Sequence, residues 1–177
     1  VELMAEIWAN QISNRNFLSP VGFKFSITRI PKADFFANQA NIPGIDLGFA
    51  LQPTYLKDIP ISGDKLTYSD FSLRFLIDEN MENYLEVHNW MRGLGYPESV
   101  SEFTEMLNED PTEQGLHTSD GTLLIYNSAF NVNTKIHFKD LFPISLSTVD
   151  FDATMTDVDY VTAEVNFKYT IYDIEVV

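Results

Sequence analysis

Residues 21–30 set the first pattern. Phe23, Phe25 and Ile27 alternate with Lys24, Ser26 and Thr28, the two-residue period of a strand with one face buried. Pro31 ends it. Residues 33–39 read as a second strand, paired with the first as a hairpin. Asn41-Ile42-Pro43-Gly44 marks a turn, because Pro presets its φ and Gly tolerates the positive φ that turns need. Residues 48–55 read as a third strand. Residues 57–64 read as a bend with an edge-like stretch, since Pro60 has no N–H to give to a ladder.

Residues 66–77 carry a strong strand signal, with Phe71, Leu73, Phe75 and Ile77 on one face and Ser72 and Arg74 on the other. Asp78-Glu79-Asn80 ends it. Asn80 is a natural N-cap, and Glu79 and Glu82 lie where a helix dipole favours acids. A helix is predicted over 81–92, its apolar face formed by Met81, Tyr84, Leu85, His88 and Met91 at helical spacing. Gly93 or Gly95 ends it, and Pro97 prevents its resumption. Residues 96–120 hold seven acids and no Lys or Arg, too long a stretch for a plain connection. Val100, Phe103, Met106 and Leu107 make one short helix within it; the remainder reads as an exposed loop. Two more strands are predicted over 122–132 and 135–141, followed by the apolar Leu141-Phe142-Pro143-Ile144-Ser145. Finally Val161, Ala163, Val165, Phe167, Tyr169 and Ile171 alternate with Thr162, Glu164, Asn166, Lys168 and Thr170, one long last strand.

The sum is a mainly β fold, a sandwich or barrel of about seven antiparallel strands with one packed helix. It is read as a single domain over 20–177, carrying an acidic inserted loop at 96–120. An N-terminal arm over 1–19 precedes it, with Ile7, Trp8 and Ile12 as its large apolar groups after Met4. The opening residues lack a charged region followed by an apolar core, so they do not read as a signal peptide.

Composition narrows the chemistry. The 177 residues suffice for a real core, and 14 Phe with 8 Tyr suit β packing. Without cysteine, disulfides and thiolate metal sites are excluded. No apolar run approaches the roughly 20 residues of a membrane-spanning helix. The formal net charge is −15, with only 11 Lys and Arg, and those are scattered. That argues against a conventional grip on nucleic-acid phosphates, and leaves room for an acidic surface past which DNA slides.

Candidate catalytic and metal groups are few. His88, His117 and His137 have no metal-pair spacing; His88 is read as a core or interface residue. Asp150 and Asp152, then Asp157 and Asp159, bracket a polar stretch that a divalent cation could enter. The EF-hand pattern is missing, so a solvated turn is the better reading. No phosphate-binding Gly-rich loop or nucleophile elbow occurs, and nothing selects one acid pair among 26 acids. No enzyme activity and no cofactor follow from these residues.

The order of elements around Gly63 to Trp90 resembles the tail tube proteins of contractile-tailed bacteriophages (myoviruses). Gly63-Asp64 precedes a strand containing Tyr68, then come the acidic Asp78-Glu79 turn and a helix reaching Trp90. The Phe142-Pro143-Ile144-Ser145 segment, an acidic turn and the aromatic-rich end Phe167, Tyr169, Tyr172 agree with this, as does Asn41-Ile42-Pro43-Gly44. The resemblance implies a tail-tube-like fold and a non-enzymatic virion protein. Six copies would form a ring, and rings would stack into a tube inside a contractile sheath, with DNA passing through the lumen at ejection. Implied partners are the chain itself, the sheath protein, baseplate and terminator proteins at the tube ends, and phage DNA without sequence-specific contact; no membrane is involved. Assembly would take place in the host bacterial cytoplasm. A baseplate tube initiator or a tube terminator shares the fold and remains an alternative, and a monomeric β-sandwich binding module is a more distant one.

On that reading Ser72, Arg74, Thr162, Glu164, Asn166, Lys168 and Thr170 face or border the channel. Trp8, Phe103, Met106, Leu107, Glu109 and Asp110 are candidates for contacts between subunits or rings. Arg74 is the difficult residue. A cation there attracts DNA unless an acid on a neighbouring strand or subunit pairs with it.

Overall fold

The computed structural model describes residues 17–29, 37–109, 117–151, 154 and 160–177. They form nine strands and two helices, so the fold is mainly β and antiparallel, with the helix expected after Asn80 and the short one expected within 96–120. The strands are β1 (Phe23–Ile27), β2 (Ala37–Ala40), β3 (Ile45–Gln52), β4 (Ile59–Tyr68), β5 (Phe71–Leu76), β6 (Ser119–Tyr126), β7 (Val132–Leu146), β8 (Thr162–Lys168) and β9 (Ile171–Val176). Helix α1 is Glu82–Gly95 and α2 is Val100–Glu109.

Seven strands follow the path β1-β6-β7-β8-β5-β2, with β9 also on β7. The path works as two layers because β7 belongs to both. Its first half pairs with β6 and β9, from Thr134↔Val176 to Lys139↔Ile171. Its second half pairs with β8, from Phe142↔Lys168 to Leu146↔Val165. The change of layer falls at Asp140, which has φ 55°. Ser119 faces Leu141 while Gly121 faces Phe138, so β7 carries one extra residue there. A bulge of this kind bends a strand and raises its twist. The Asp140 N–H donates to Asp120 Oδ1 at 3.2 Å, which holds the bend.

Between the layers lies the core: Phe25 and Ile27 from β1, Leu123 and Ile125 from β6, Ile136, Phe138 and Leu141 from β7, Ala163, Val165 and Phe167 from β8, and Phe71, Leu73 and Phe75 from β5. Phe71 is its hub, with ring centroids 4.7 Å from Phe25, 4.6 Å from Phe138 and 6.1 Å from Phe167. Offset and tilted ring pairs at such spacings add to what burial alone supplies.

Several expectations change. The first two strands do not form a hairpin: β1 pairs with β6 and β2 with β5. Phe25 and Ile27 need a partner with its own buried face, and β6 supplies Leu123 and Ile125; β2 has no fully buried residue and serves as a short edge. The supposed single strand over 66–77 is two, broken at Ser69-Asp70, because β4 pairs with β3 while β5 pairs with β8 and β2. The supposed bend at 57–64 is the start of β4, with Pro60 opposite Leu51; a free hairpin edge tolerates its missing N–H. The last strand is likewise two, since β8 and β9 meet β7 in different layers. The strand predicted over 122–132 stops at Tyr126. Asn127 Oδ1 accepts the N–H groups of Ala129 and Asn131 at 2.9 and 3.0 Å and so builds a turn.

Helix α1 starts after Met81, at φ 58°, not after an Asn80 cap. Asp78 Oδ1 accepts the Glu82 N–H at 2.7 Å instead. The face it buries is also different. Asn83, Val87, Trp90 and Gly93 point inward, whereas Leu85 and His88 are exposed. Asn83 is fully buried because its Nδ2 donates to the Leu76 carbonyl at 2.7 Å, closing the end of β5. Gly93 is needed because a Cβ there would lie 2.7 Å from Met106 Cβ of α2.

Candidate functional site

The polar face of β5 and β8 is assembled by register. Arg74 sits opposite Glu164 and Ser72 opposite Asn166. Ser72 Oγ donates to Glu164 Oε1 at 2.8 Å, and Arg74 Nη2 lies 3.4 Å from Glu164 Oε2. Asn166 Nδ2 donates to Ser145 Oγ at 3.0 Å, and the Glu164 N–H donates to Ser147 Oγ at 2.9 Å. Lys168 pairs with Asp70. Of the seven residues expected to border a channel, the structure thus brings Ser72, Arg74 and Glu164 into one network, with Asn166 and Lys168 on the same face. Thr162 is exposed at the start of β8. Thr170 lies in the β8–β9 break, where its N–H donates to the Lys139 carbonyl at 3.0 Å. The acid beside Arg74 is Glu164, on the neighbouring strand of the same chain. Each cation named on this face has an acid beside it, so these four side chains carry no net charge.

The outer face of the other layer has the same character. Lys139 pairs with Asp173 at 2.8 Å, and that hydrogen bond and charge hold its ammonium above its usual pKa. His137 Nδ1 lies 3.1 Å from Thr122 Oγ1, and its Nε2 lies 3.6 Å from Glu175.

A second surface lies where the sequence predicts a third strand, a bend and the start of the strand over 66–77. β3 and β4 form a separate two-stranded sheet. Every residue of β3 is exposed, and β4 is nearly so. Yet β3 carries Ile45, Leu47, Phe49 and Leu51, and β4 carries Ile59, Ile61 and Leu66. Phe49 is 70% exposed, and at the tip Leu56 is 91% exposed. Ordinary amphipathic strands hide such residues. The signal was in the sequence, since the apolar residues of 45–51 and 59–66 exceed what a surface loop needs. A Cβ on Gly63 would lie 2.3 Å from the Gly48 carbonyl oxygen, so the two backbones touch where the register shifts.

The helical pair presents the remaining candidates. Met106 is buried within the subunit beneath Gly93, and Phe103 and Leu107 are half-buried against the core. Arg29, stacked 5.6 Å from the Trp90 ring, donates to the Met106 carbonyl at 2.7 Å. Arg92 bridges Glu98 and Glu102 at 2.9 and 2.7 Å. Burial pushes the Glu102 carboxyl up, but the hydrogen bonds and charge of Arg92 and the backbone win and hold it below its ordinary value. Glu109 ends α2; Trp8 and Asp110 lie outside the described residues, as do Asp152, Asp157 and Asp159. His88 is a surface residue beside an open groove of about 600 Å³ lined by Tyr84, Met91 and Leu146, not a core one. Among the described residues no group of three or more His, Asp or Glu is placed to hold a metal ion, and no helix is long and apolar enough to cross a membrane.

No family model matches the chain, and no curated protein matches it in sequence. Solved structures do match it in fold. A chain of the tube-terminating cap of the anti-feeding prophage aligns over 97% of this chain and 99% of its own, with TM-score 0.66 and 14% identity. A chain of the six-fold symmetrised baseplate of the anti-feeding prophage aligns over 93% of this chain and 97% of its own, with TM-score 0.62 and 11% identity. A chain of the sheath–tube complex of an extracellular contractile injection system aligns over 92% of this chain and 94% of its own, with TM-score 0.55 and 14% identity. The chain therefore has the tail-tube-like fold found in contractile injection systems.

Proposed function

We propose that this chain is a non-enzymatic structural subunit that assembles with copies of itself into the inner tube of a contractile injection machine. The observation that carries the reading is the β3–β4 hairpin. Soluble monomers rarely expose contiguous apolar patches beyond a few hundred Å², and an isolated two-stranded hairpin is marginally stable in water. A hairpin apolar along its length and exposed throughout is made to be covered by another chain. When one surface meets a different surface on the next copy, the contact is head-to-tail, and such contacts close into rings or propagate as tubes.

The finer form of the reading is a homohexameric ring that stacks on further rings. A sheath would lie outside, baseplate and terminator proteins at the ends, and phage DNA would pass along the lumen of a virion tail. The β5–β8 face suits a channel wall, because pairing Arg74 with Glu164 and Lys168 with Asp70 removes the cations that would hold a polyanion. Phe103, Leu107, Glu109 and the arm containing Trp8 would serve contacts between neighbours.

Negative-stain microscopy of the purified protein across a concentration series tests this. Rings or stacked tubes are expected. Single rings that never stack favour the initiator or terminator role. A globular monomer at every concentration sinks the reading in favour of a β-sandwich binding module.

A further inference from the structure

The β8–β9 corner, residues 168–172, grips both legs of the hairpin. The incoming leg is 41–44 and the outgoing leg is 69–70. Tyr172 Oη donates to the Pro43 carbonyl at 3.1 Å, and Tyr169 Oη donates to the Ser69 carbonyl at 2.9 Å. Each leg therefore has its own tyrosine. The legs are also tied to each other: the Ser69 N–H donates to the Gly44 carbonyl at 3.0 Å, and Asn41 Nδ2 donates to the Asp70 carbonyl at 3.2 Å. Tyr68, the last residue of β4, stands between the two anchors, its ring 6.0 Å from Tyr169 and 5.6 Å from Tyr172. Those two rings are 5.9 Å apart. The triangle rests on Phe138, 5.1 Å from Tyr169 and 5.8 Å from Tyr172, and Phe138 is rooted in the core.

We propose that Tyr169 and Tyr172 are positioning residues that fix the angle at which the hairpin leaves the barrel, and so determine whether its apolar surface meets the next copy of the chain. The proposal rests on the hairpin being an assembly element. A two-stranded sheet with no second layer has nothing along its length to set its direction; only its base can do so. The lever is long. β3 has 8 residues, and at about 3.3 Å per residue it reaches about 25 Å. A swing of roughly 10° at the base would move the tip by about 4 Å, as large as an apolar contact distance itself. Interfaces built on side-chain contacts do not survive such a displacement. The phenol hydroxyls matter because they bond backbone carbonyls of the legs, whereas the rings alone could slide.

The test uses the full chain with Tyr169→Phe and Tyr172→Phe combined, which keeps the rings and removes both hydrogen bonds. Hydrogen exchange at the amides of β3 and β4 should speed up about tenfold relative to wild type, as expected for two modest hydrogen bonds. The amides of β5 and β8 should be unchanged. At a fixed concentration, the yield of rings or tubes should fall about tenfold. Tyr84→Phe, in the half-buried groove beside His88, should change neither readout. Hairpin exchange that stays at the wild-type rate overturns the proposal, as does a rise shared equally by the core amides, which would mark a merely structural role. Wild-type protein that never assembles overturns the assembly reading by itself, and the exchange rates still decide the clamp.

Discussion

Strand β5 and strand β3 make the same claim on paper and spend it differently. Both alternate large apolar residues along an extended backbone. Phe71, Leu73 and Phe75 are all 0% exposed, pressed between two layers of one subunit. Ile45, Leu47, Phe49 and Leu51 are all at least half exposed. Alternation therefore reports that a strand has an apolar set, not that its own chain covers it. Where the covering layer is missing, the apolar set points to another molecule.

The sharpest break of this comparison is Phe71→Ala. Removing the hub ring should cost about 3–5 kcal/mol of stability, seen as a large fall in the urea midpoint. Phe49→Asp should leave stability within about 0.5 kcal/mol of wild type while abolishing rings and tubes under the microscope. If Phe49→Asp unfolds the monomer, or assembles normally, the two strands are not different in kind. Gly93→Ala comes next. The new methyl meets Met106 in a closed joint between α1 and α2, and overpacking of this sort costs about 1–3 kcal/mol. Thermal melts should show it, with assembly following only in proportion.

Smaller effects belong to the charged surfaces. Glu164→Gln should change stability by less than about 1 kcal/mol, since the pair with Arg74 is half exposed. Its larger consequence should be an unbalanced Arg74, read as retention of the protein on a DNA column that wild type passes through. The last effect is alkaline. Burial, then the neighbouring Tyr172, Tyr68 and Asp70, push the Tyr169 phenol up to about 12. Its folded value exceeds its ordinary value of 10.0, so its contribution is fully present below pH 10 and is lost as pH rises towards 12. Wild type should lose stability across that window more steeply than Tyr169→Phe, followed by fluorescence at fixed urea.

The sequence showed the class of fold because its strongest alternations, at 23–27, 71–76 and 162–168, are also the core strands. What it hid has physical reasons. Alternation continues unbroken through Tyr169-Thr170, because a residue can keep its parity while the strand changes neighbours; at Ser69-Asp70 the apolar parity does shift, from Leu66 and Tyr68 to Phe71, Leu73 and Phe75, and that shift marks the break. Pairing depends on which buried faces match, so β1 bypasses β2 for β6. The buried face of α1 differs from the predicted one because only Val87 and Trp90 mark it as apolar; its other two inward residues, Asn83 and Gly93, serve through an amide and through the absence of a side chain. Hydrophobicity scores neither. At the polar face, the alternation of 162–168 and 72–74 predicted which residues share a face, but only the register revealed that Glu164 lies opposite Arg74. The tyrosine clamp left an aromatic-rich tail in view and nothing to say what it holds.

The doubled corner has a mechanical consequence. β7 turns between layers at Asp140, and β8 passes to β9 beside it, joined there by the Thr170 to Lys139 hydrogen bond. Two backbones thus cross from one sheet to the other side by side. A pull applied to β9 travels into the opposite sheet along peptide bonds, through β7 and through the β8 junction, and does not depend on side chains gripping across the core. Sliding the two sheets apart would require shearing the ladders of both crossing strands at once, which loads many hydrogen bonds in parallel. Stiffness against such a load comes from that shared beam.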